Sequence, residues 1–450
     1  MGGEQLPYLE IDAKGTLKHP PMKKLEVPVR TVKIKLHPRR ERDSSNLNKI
    51  FGVTRWTYNA CVALLKKEDT EVRRLTSTDP KTNKPPAMMK FLRAELINGD
   101  SPAVSAHPWL NDVSYDIRDD ACKDVMTALK ANFTQKRNGV IKQFSLGFRS
   151  KKKCTSESFY VRKGWVSQTK NTLVLKLPKI PPMKLWTGNR AWHGPILMDC
   201  KLQRTSTNDY FLCIPHGYVV ENQDHKNLRV CSLDPGVRTF QTIFDVNEGA
   251  ALQVGDGDMK RIVRLCKGMD LLISKRDKAA NAKTRYALNR ALKRSRVRLQ
   301  NLVNEVHKQL AKHLSTHYDL VMIPSFEVSQ MIRKRDRKIG SQSARQMTTW
   351  AHYRFKQRLL FKCRQFGCKV VIVDESWTSK TCSQCGTLNH TLGASKHFHC
   401  NSCHFEADRD INGAKNIFLK NYEALGLTLP TLGPTPCSPV MDCCTRDTKG

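Results

Sequence analysis

Hydrophobic and polar positions change rhythm several times along the chain. Residues 27–36, VPVRTVKIKL, alternate apolar and polar side chains, the period of a strand with one covered face, and basic residues line the other face. From 44 to 67 the period lengthens to that of a helix. Leu47, Ile50, Phe51, Trp56, Cys61, Leu64 and Leu65 supply its apolar positions, with Ser44 or Ser45 as candidate cap. A Pro-rich loop at 77–86 separates this segment from helical patterns over 87–98 and 111–136, the latter carried by Val113, Ile117, Ala121, Val125, Leu129 and Phe133. Residues 144–222 then break into short β-rich runs: SFYVR, TLVLKLP, ILMDCKLQRT and DYFLCIPHGYVV. These predict an antiparallel all-β body that the strand at 27–36 joins, a barrel interrupted by helices.

A different pattern starts at 229. RVCSLDPG reads as a strand ending in a tight turn, and VRTFQTIFDV as a second strand. A long basic helical region covers 259–314, with Leu288, Leu292, Leu299, Val303, Val306 and Leu310 on its apolar side. The strand DLVMIP (319–324), a helix over 344–366, the strand CKVVIVDE (368–375), a cysteine cluster at 382–403 and a short helix from 411 complete the order. Strands and helices in this succession predict an RNase H-like α/β sheet, in which chemistry collects at strand ends.

Charge narrows the partners. The 450 residues carry a net charge of +36, which is an argument about association with a polyanion and not about fold. Nucleic acid, bound by phosphate neutralisation, is the expected partner, whether for an enzyme or for a plain binder. The chain has no run of 18 apolar residues and its first thirty residues hold no apolar signal core, so an intracellular protein with reduced thiols is expected. Sixteen cysteines then need an account other than disulfides. Cys382-x-x-Cys385 and Cys400-x-x-Cys403 form two knuckles, the pattern of a structural zinc site with four thiolates. His390, His397, His399 and His404 are expected at the surface or facing DNA, since the cysteines already fill the shell. The remaining cysteines read as small buried hydrophobes.

Carboxylates at strand or helix ends are the candidate catalytic groups, because two-metal phosphodiester hydrolysis needs acidic oxygens converging from separate elements. Asp234 ends RVCSL, although Asp-Pro-Gly is also an ordinary turn. Asp410 starts the helix after the cysteines, although Asp408 or Asp410 could simply cap it. For a third group, Glu375 ends CKVVIVDE directly, whereas Glu327 lies three residues beyond DLVMIP. The strand-end position is the more rigid, so Glu375 is preferred and Glu327 is the alternative.

Together SLDPGVRTF (232–240), DLVMIPSFEVSQM (319–331), ESWTSKTCSQCG (375–386), CNSC (400–403) and ADRDINGAKNI (407–417) resemble the RuvC nuclease segments of TnpB and Fanzor proteins, relatives of type V CRISPR effectors. DPGVRTF is closer to the Fanzor form. KIKLHP (33–38) and FGVTRWTYNACV (51–62) are similar to the family's opening, with Arg55, Tyr58 and Asn59 at its R-x-x-Y-N, and FRSKKK (148–153) to its basic segment. One departure is that Pro324 stands where the family's second segment usually has glutamate. Some Fanzor proteins carry a rearranged glutamate before T-S-x-x-C, which here is Glu375. Composition rich in Pro, Gly and Lys predicts a flexible basic arm (1–26), and one rich in Pro, Thr and Cys a disordered tail (425–450). The resemblance implies a wedge β-barrel in two parts (27–43 and 144–226), a helical recognition domain (44–143), a RuvC core (227–377 and 407–424) and a zinc ribbon (378–406). It implies two Mg2+ on Asp234, Glu375 and Asp410, one structural Zn2+, a transposon-end guide RNA and double-stranded target DNA with a short adjacent motif, in a monomeric ribonucleoprotein. Arg55, Tyr58, Asn59, Arg149, Lys151 and Lys152, with Arg285, Arg290, Lys293, Arg294 and Arg298 of the basic helix, are the expected nucleic-acid contacts. The basic run at 333–338 is expected to touch DNA or to direct a eukaryotic protein to the nucleus. The competing expectations are an inactive nucleic-acid-binding repressor, favoured by Pro324, and a transposase.

Overall fold

The computed structural model describes residues 29–67, 87–151, 156–169, 171–188, 192, 194–220, 227–335, 337, 339–393 and 395–427, and the backbone of three short strands, Leu9–Ile11, Leu17–Lys18 and Cys437–Met441. The Pro-rich loop at 77–86, Lys152 and most of the arm and tail lie outside the described residues. The chain divides into two compact units, residues 27–218 and 219–450, with residues 4–26 belonging to the second.

In the first unit, β1 (Val29–Pro38) buries Ile34 and Leu36 and leaves Lys33 and Lys35 exposed, as its alternation requires. Helices α1 (Glu41–Lys67), α2 (Ala87–Leu96) and α3 (Tyr115–Arg137) follow. Then come β2 (Ser156–Val161), β3 (Val166–Thr169), β4 (Thr172–Leu175), β5 (Met183–Trp186), β6 (Cys200–Thr205) and β7 (Tyr210–Gly217). The strands form one antiparallel sheet in the order β2-β6-β7-β1-β5-β4-β3. As expected, β1 joins the later β segment: it pairs with β7 over eight residues and passes to β5 through His37 and Pro38. The inward residues of this sheet close on Ile50 and Phe51 of α1, and a separate helical core gathers Cys61, Leu92, Cys122 and Val125. Helix α1 starts at Glu41, ahead of the expected Ser44 or Ser45, so those serines lie inside its first turns.

In the second unit, β8 (Val230–Pro235), β9 (Gln241–Asp245) and β10 (Ala250–Val254) make an antiparallel meander. Helices α4 (Asp256–Lys278) and α5 (Ala282–His317) lead to β11 (Leu320–Pro324), and α6 (Ser341–Trp350) and α7 (His352–Gln365) to β12 (Lys369–Val373). Both β11 and β12 run parallel to β8, in the order β10-β9-β8-β11-β12. This is the mixed RNase H-like sheet that the element order predicts. The cysteine segment carries the hairpin β13 (His397–His399) and β14 (Glu406–Asp408), and α8 (Arg409–Asn421) ends the unit.

Period-two alternation splits the sheet's two faces cleanly. Cys231, Leu233, Val321, Ile323 and Val370 pack with α5 and α7, while Val230, Met322, Val371 and Val373 pack with Ala414, Ile417 and Phe418 of α8. Two expected single helices are each broken. The basic region divides at Ala279-Ala280-Asn281, where Asn281 Oδ1 accepts from the Lys283 amide at 2.7 Å. The 344–366 segment divides at Ala351, which adopts φ 53°. Among the described residues, no helix is long and apolar enough to cross a membrane.

Candidate active site

Strand register brings the acidic ends together. Ser232 of β8 pairs with Met322 of β11, so two residues later Asp234 and Pro324 come level at the carboxyl edge, and Pro324 in turn pairs with Val373 of β12. Asp234 shares the face of Val230 and Ser232, which is the α8 face: Ser232 Oγ donates to the Ala414 carbonyl at 2.6 Å. A Cβ on Gly413 would sit 2.7 Å from Asp234 Oδ2, so a glycine is what lets α8 lie against that carboxylate. Asp410 stands one turn earlier on the same side of α8.

The caps sort the neighbouring acids. Asp408 caps α8, its Oδ1 accepting from the amides of Asp410 at 2.9 Å and Ile411 at 3.3 Å. Asp410 is thereby relieved of the capping role. Beyond β12, Lys420 of α8 donates to Asp374 at 2.6 Å, and the Ser376 amide and hydroxyl donate to it too. Against the cost of burial, these partners hold Asp374 down at about 2. Glu375 has the opposite character: burial, with the adjacent Asp374, pushes it up to about 7. Burial, then the charges of Asp410 and Glu375, raise Asp234 well above the usual carboxylate range, with Arg409 opposing. Burial and Asp408 raise Asp410 against Lys396, Arg409 and Arg238. Asp234 therefore feels both of the other two acids.

Glu327 lies elsewhere. It is exposed at the start of a short helix, Val328–Met331, and lines a cavity of about 260 Å³ on the α7 side of the same sheet edge. It is not among the charges acting most strongly on Asp234.

The donor set of Asp234, Glu375 and Asp410 is all hard oxygen, which fits magnesium or manganese. Their unbalanced repulsion is what a divalent cation would relieve. Among the described residues, the group whose ligand atoms all approach within 4.8 Å is Cys382, Cys385, Cys400 and Cys403.

In the cysteine group, Sγ of Cys382 and Cys403 are 3.6 Å apart, as are those of Cys385 and Cys400. Four thiolates about 2.3 Å from one tetrahedral zinc would be about 3.8 Å apart, so the site fits. The two knuckles match: Gly386 N donates to Cys382 O and His404 N to Cys400 O, each at 3.0 Å, with φ of 77° and 58° at those residues. His390, His397, His399 and His404 are exposed, and His399 pairs with Glu406 at 3.1 Å.

Helix α8 also holds this module in place. Asn412 Nδ2 donates to Thr381 O at 2.7 Å while its Oδ1 accepts from Ser383 N at 3.0 Å; Asn416 Nδ2 reaches the Thr378 and Thr381 carbonyls at 2.9 and 2.6 Å. These positioning residues escaped the sequence reading. Their only signal was an i,i+4 pair of asparagines in a helix interior, where asparagine is a poor helix former.

The expected nucleic-acid contacts separate into two sets. Arg55 pairs with Glu157 at 2.5 Å, and Arg204 also bonds Glu157. Asn59 clamps the backbone of Arg149, donating to its carbonyl at 2.9 Å and accepting from its amide at 2.7 Å, while the Arg149 guanidinium stacks 3.6 Å from the Tyr58 ring. Arg55, Tyr58, Asn59 and Arg149 are thus engaged within the first unit. Lys151 is exposed, and so are Arg285, Arg290, Arg294 and Arg298 along α5, with Lys293 half-buried.

The chain is similar to several known proteins. The Cas12f1-like, TNB domain family matches residues 352–417, from α7 through the cysteine module into α8. A625R of Paramecium bursaria Chlorella virus 1, provisionally named a transposase, is 26% identical over 397 residues, covering 87% of each chain. The TnpB-like protein L79 of Acanthamoeba polyphaga mimivirus is 30% identical over 338 residues, which is 73% of this chain and 60% of L79. The CRISPR-associated endodeoxyribonuclease Cas12f1 of Sulfoacidibacillus thermotolerans is 34% identical over 91 residues, 20% of this chain and 21% of that protein. Because the likeness to L79 is longer than either unit, it cannot rest on the cysteine module alone, and the chain belongs to the TnpB-like proteins of the RuvC family.

Proposed function

We propose that the chain is an RNA-guided DNA endonuclease of the Fanzor type, acting through a two-metal RuvC site. One observation carries the reading: Asp234, at the end of one strand, feels the charges of Asp410 and Glu375 from two other elements, and each of the three holds its proton more tightly than an ordinary carboxylate. Such crowding is costly unless cations are meant to sit there. Asp234, Glu375 and Asp410 would hold two Mg2+, and four cysteines one structural Zn2+. When bound, the divalent ions supply Lewis-acid activation of water and stabilisation of the leaving oxygen. The protein's own part is rigid positioning: β8 and α8 fix Asp234 against Gly413, and the Asp408 cap leaves Asp410 available.

A guide RNA from a transposon end would read the target by pairing, and the protein a short adjacent motif. The first unit would supply the recognition domain (44–143) and most of the wedge (27–43 and 144–226), and the second the RuvC core and zinc ribbon. The particle would be a monomeric ribonucleoprotein, nuclear in a eukaryotic host.

The test is guided cleavage of matched DNA in magnesium by purified ribonucleoprotein. Asp234→Ala, Asp410→Ala and Glu375→Gln should each lower the rate by about a hundredfold or more, and Glu327→Gln should leave it near wild type. Equal loss in Glu327→Gln and none in Glu375→Gln would move the third ligand to Glu327. Pro324, level with Asp234, favours a second reading, an inactive binder. Wild type that binds guide and target yet never cuts in magnesium or manganese would establish it.

A further inference from the structure

The cavity beside the candidate active site has no part in the hydrolysis described above. It lies at the carboxyl edge of β8 and β11, on the α7 side, with a volume of about 260 Å³. Pro324 and Phe326 give it flat apolar walls. Phe326 is held at φ 41°, a left-handed conformation that non-glycine residues rarely adopt and that gathers at functional edges. Its ring meets His352 edge-on at 4.8 Å. The deepest polar group is the amide of Gln241, 1% exposed. Its Nε2 lies 3.5 Å from His352 Nδ1, and its Oε1 has no hydrogen-bond partner. A buried acceptor without a partner is uncommon and calls for an explanation. At the mouth, Lys356 donates to the Ser325 carbonyl at 3.2 Å, and Glu327 also lines the cavity.

We infer that this cavity receives one extruded nucleobase of the DNA strand crossing the sheet edge, an inference that rests on reading that edge as a nuclease site. Flat apolar walls accept the face of a heteroaromatic ring, and the Gln241 carbonyl accepts from an exocyclic amine or ring N–H at its edge. The volume falls below the about 300–1,000 Å³ of pockets for larger ligands, so a single ring system fills it. A phosphate fits badly, because it would meet the Gln241 oxygen and Glu327 with only Lys356 to oppose them. Lys356 at the mouth instead suits the backbone of the inserted nucleotide.

The experiment uses the full chain in magnesium-free buffer and measures binding of a short single-stranded DNA, intact or with abasic sites throughout. A 5-iodouracil version is photocrosslinked to the protein and the attachment mapped. Loss of the bases should weaken binding about tenfold. Gln241→Leu and Phe326→Ala should each bind intact DNA as weakly as wild type binds the abasic strand. The crosslink should fall within 323–329 or 352–356. If either variant melts well below wild type, the crosslink on the unaltered chain decides. Equal binding of intact and abasic strands, discrimination that survives in both folded variants, or a crosslink elsewhere overturns the proposal. Guided cleavage by wild type and Asp234→Ala, run in parallel, keeps the two readings apart. Cutting that depends on Asp234 without base discrimination sinks only the cavity, and a cavity crosslink without any cutting sinks only the nuclease.

Discussion

At the residue scale, Gly413 tests how tightly the candidate site is built. In an isolated helix, alanine at this position would gain about 1 kcal/mol over glycine. Here the added methyl would land 2.7 Å from Asp234 Oδ2, so the carboxylate must move. Since misplacing a reacting group by about 1 Å can cost about a hundredfold, Gly413→Ala should cut guided cleavage by tenfold or more, on the order of that cost, while circular dichroism still reports a folded chain. Unchanged cleavage would mean that Asp234 does not work in the position described. The buried histidines on the other face give a pH prediction. Burial holds His307 down at about 3 and His352 at about 4. In the unfolded chain each would take up a proton near 6.5. Folded pKa values lie below unfolded ones, so the stability these groups contribute is present above pH 6.5 and is lost as pH falls toward 4 and 3. Near pH 5 the loss should approach 2.7 kcal/mol per pH unit, about 1.36 for each proton. Glu375 and Asp234, which hold their protons more tightly when folded, push the other way over the same range, so the slope is read as the difference in urea unfolding at pH 7, 6 and 5 between wild type and a His307→Gln, His352→Gln variant; no difference would show that the two imidazoles are reached by solvent.

At the level of elements, α8 does three jobs with one sequence. ADRDINGAKNI supplies a cap in Asp408, a close approach in Gly413 and two asparagines that hold the cysteine module. Asn416→Ala would strand the Thr378 carbonyl, while Thr381 keeps its bond from Asn412, at a cost of about 1–3 kcal/mol if the stranded group stays buried. The effect should concentrate in the 378–406 module and appear as faster zinc release to a chromogenic chelator, with little change in the first unit; release at the wild-type rate would make the asparagines dispensable. Such contacts explain what was legible. The strands β8, β11 and β12 could be read because each is a near-continuous apolar run, the signature of a strand covered on both faces. From those runs followed the strand-end acids, including the preference for Glu375 over Glu327. β10 was missed because AALQV is short and weakly apolar, and only its pairing with β9 makes it a strand. The break at Ala351 was invisible for a related reason. Alanine is a good helix former, and what holds it at φ 53° is tertiary: Trp350 Nε1 donates to Val237 O at 3.1 Å and its ring packs 4.7 Å from Phe240.

For the molecule as a whole, net charge said that a polyanion binds but not which cations face it. Arg55 and Arg149 read as nucleic-acid contacts from motif likeness, yet they are taken up by Glu157, Tyr58, Asp124 and Asn59. Sequence cannot separate a cation that holds the fold from one that waits for a ligand, because the partner acid lies far away in the chain. The amino-terminal half of α5 is the contrasting case. Its apolar stripe from Val303 to Leu314 is buried, but between 282 and 298 only Leu292 is. Arg285, Arg290, Arg294 and Arg298 therefore spend their charge on solvent or on a phosphate backbone. If on phosphates, each contact releases condensed counterion on binding, and log K falls against log salt by about 0.7 per contact for a single strand and about 0.9 for a duplex. Changing all four to glutamine should flatten the slope for nucleic-acid binding by about 3 and weaken binding most at low salt, without changing the melting temperature. The Arg55→Gln variant should do the reverse, lowering the first unit's stability with the slope preserved. Were the quadruple variant to keep the full slope, α5 would be a solvated face, and the polyanion would have to be sought on other cations such as Lys151.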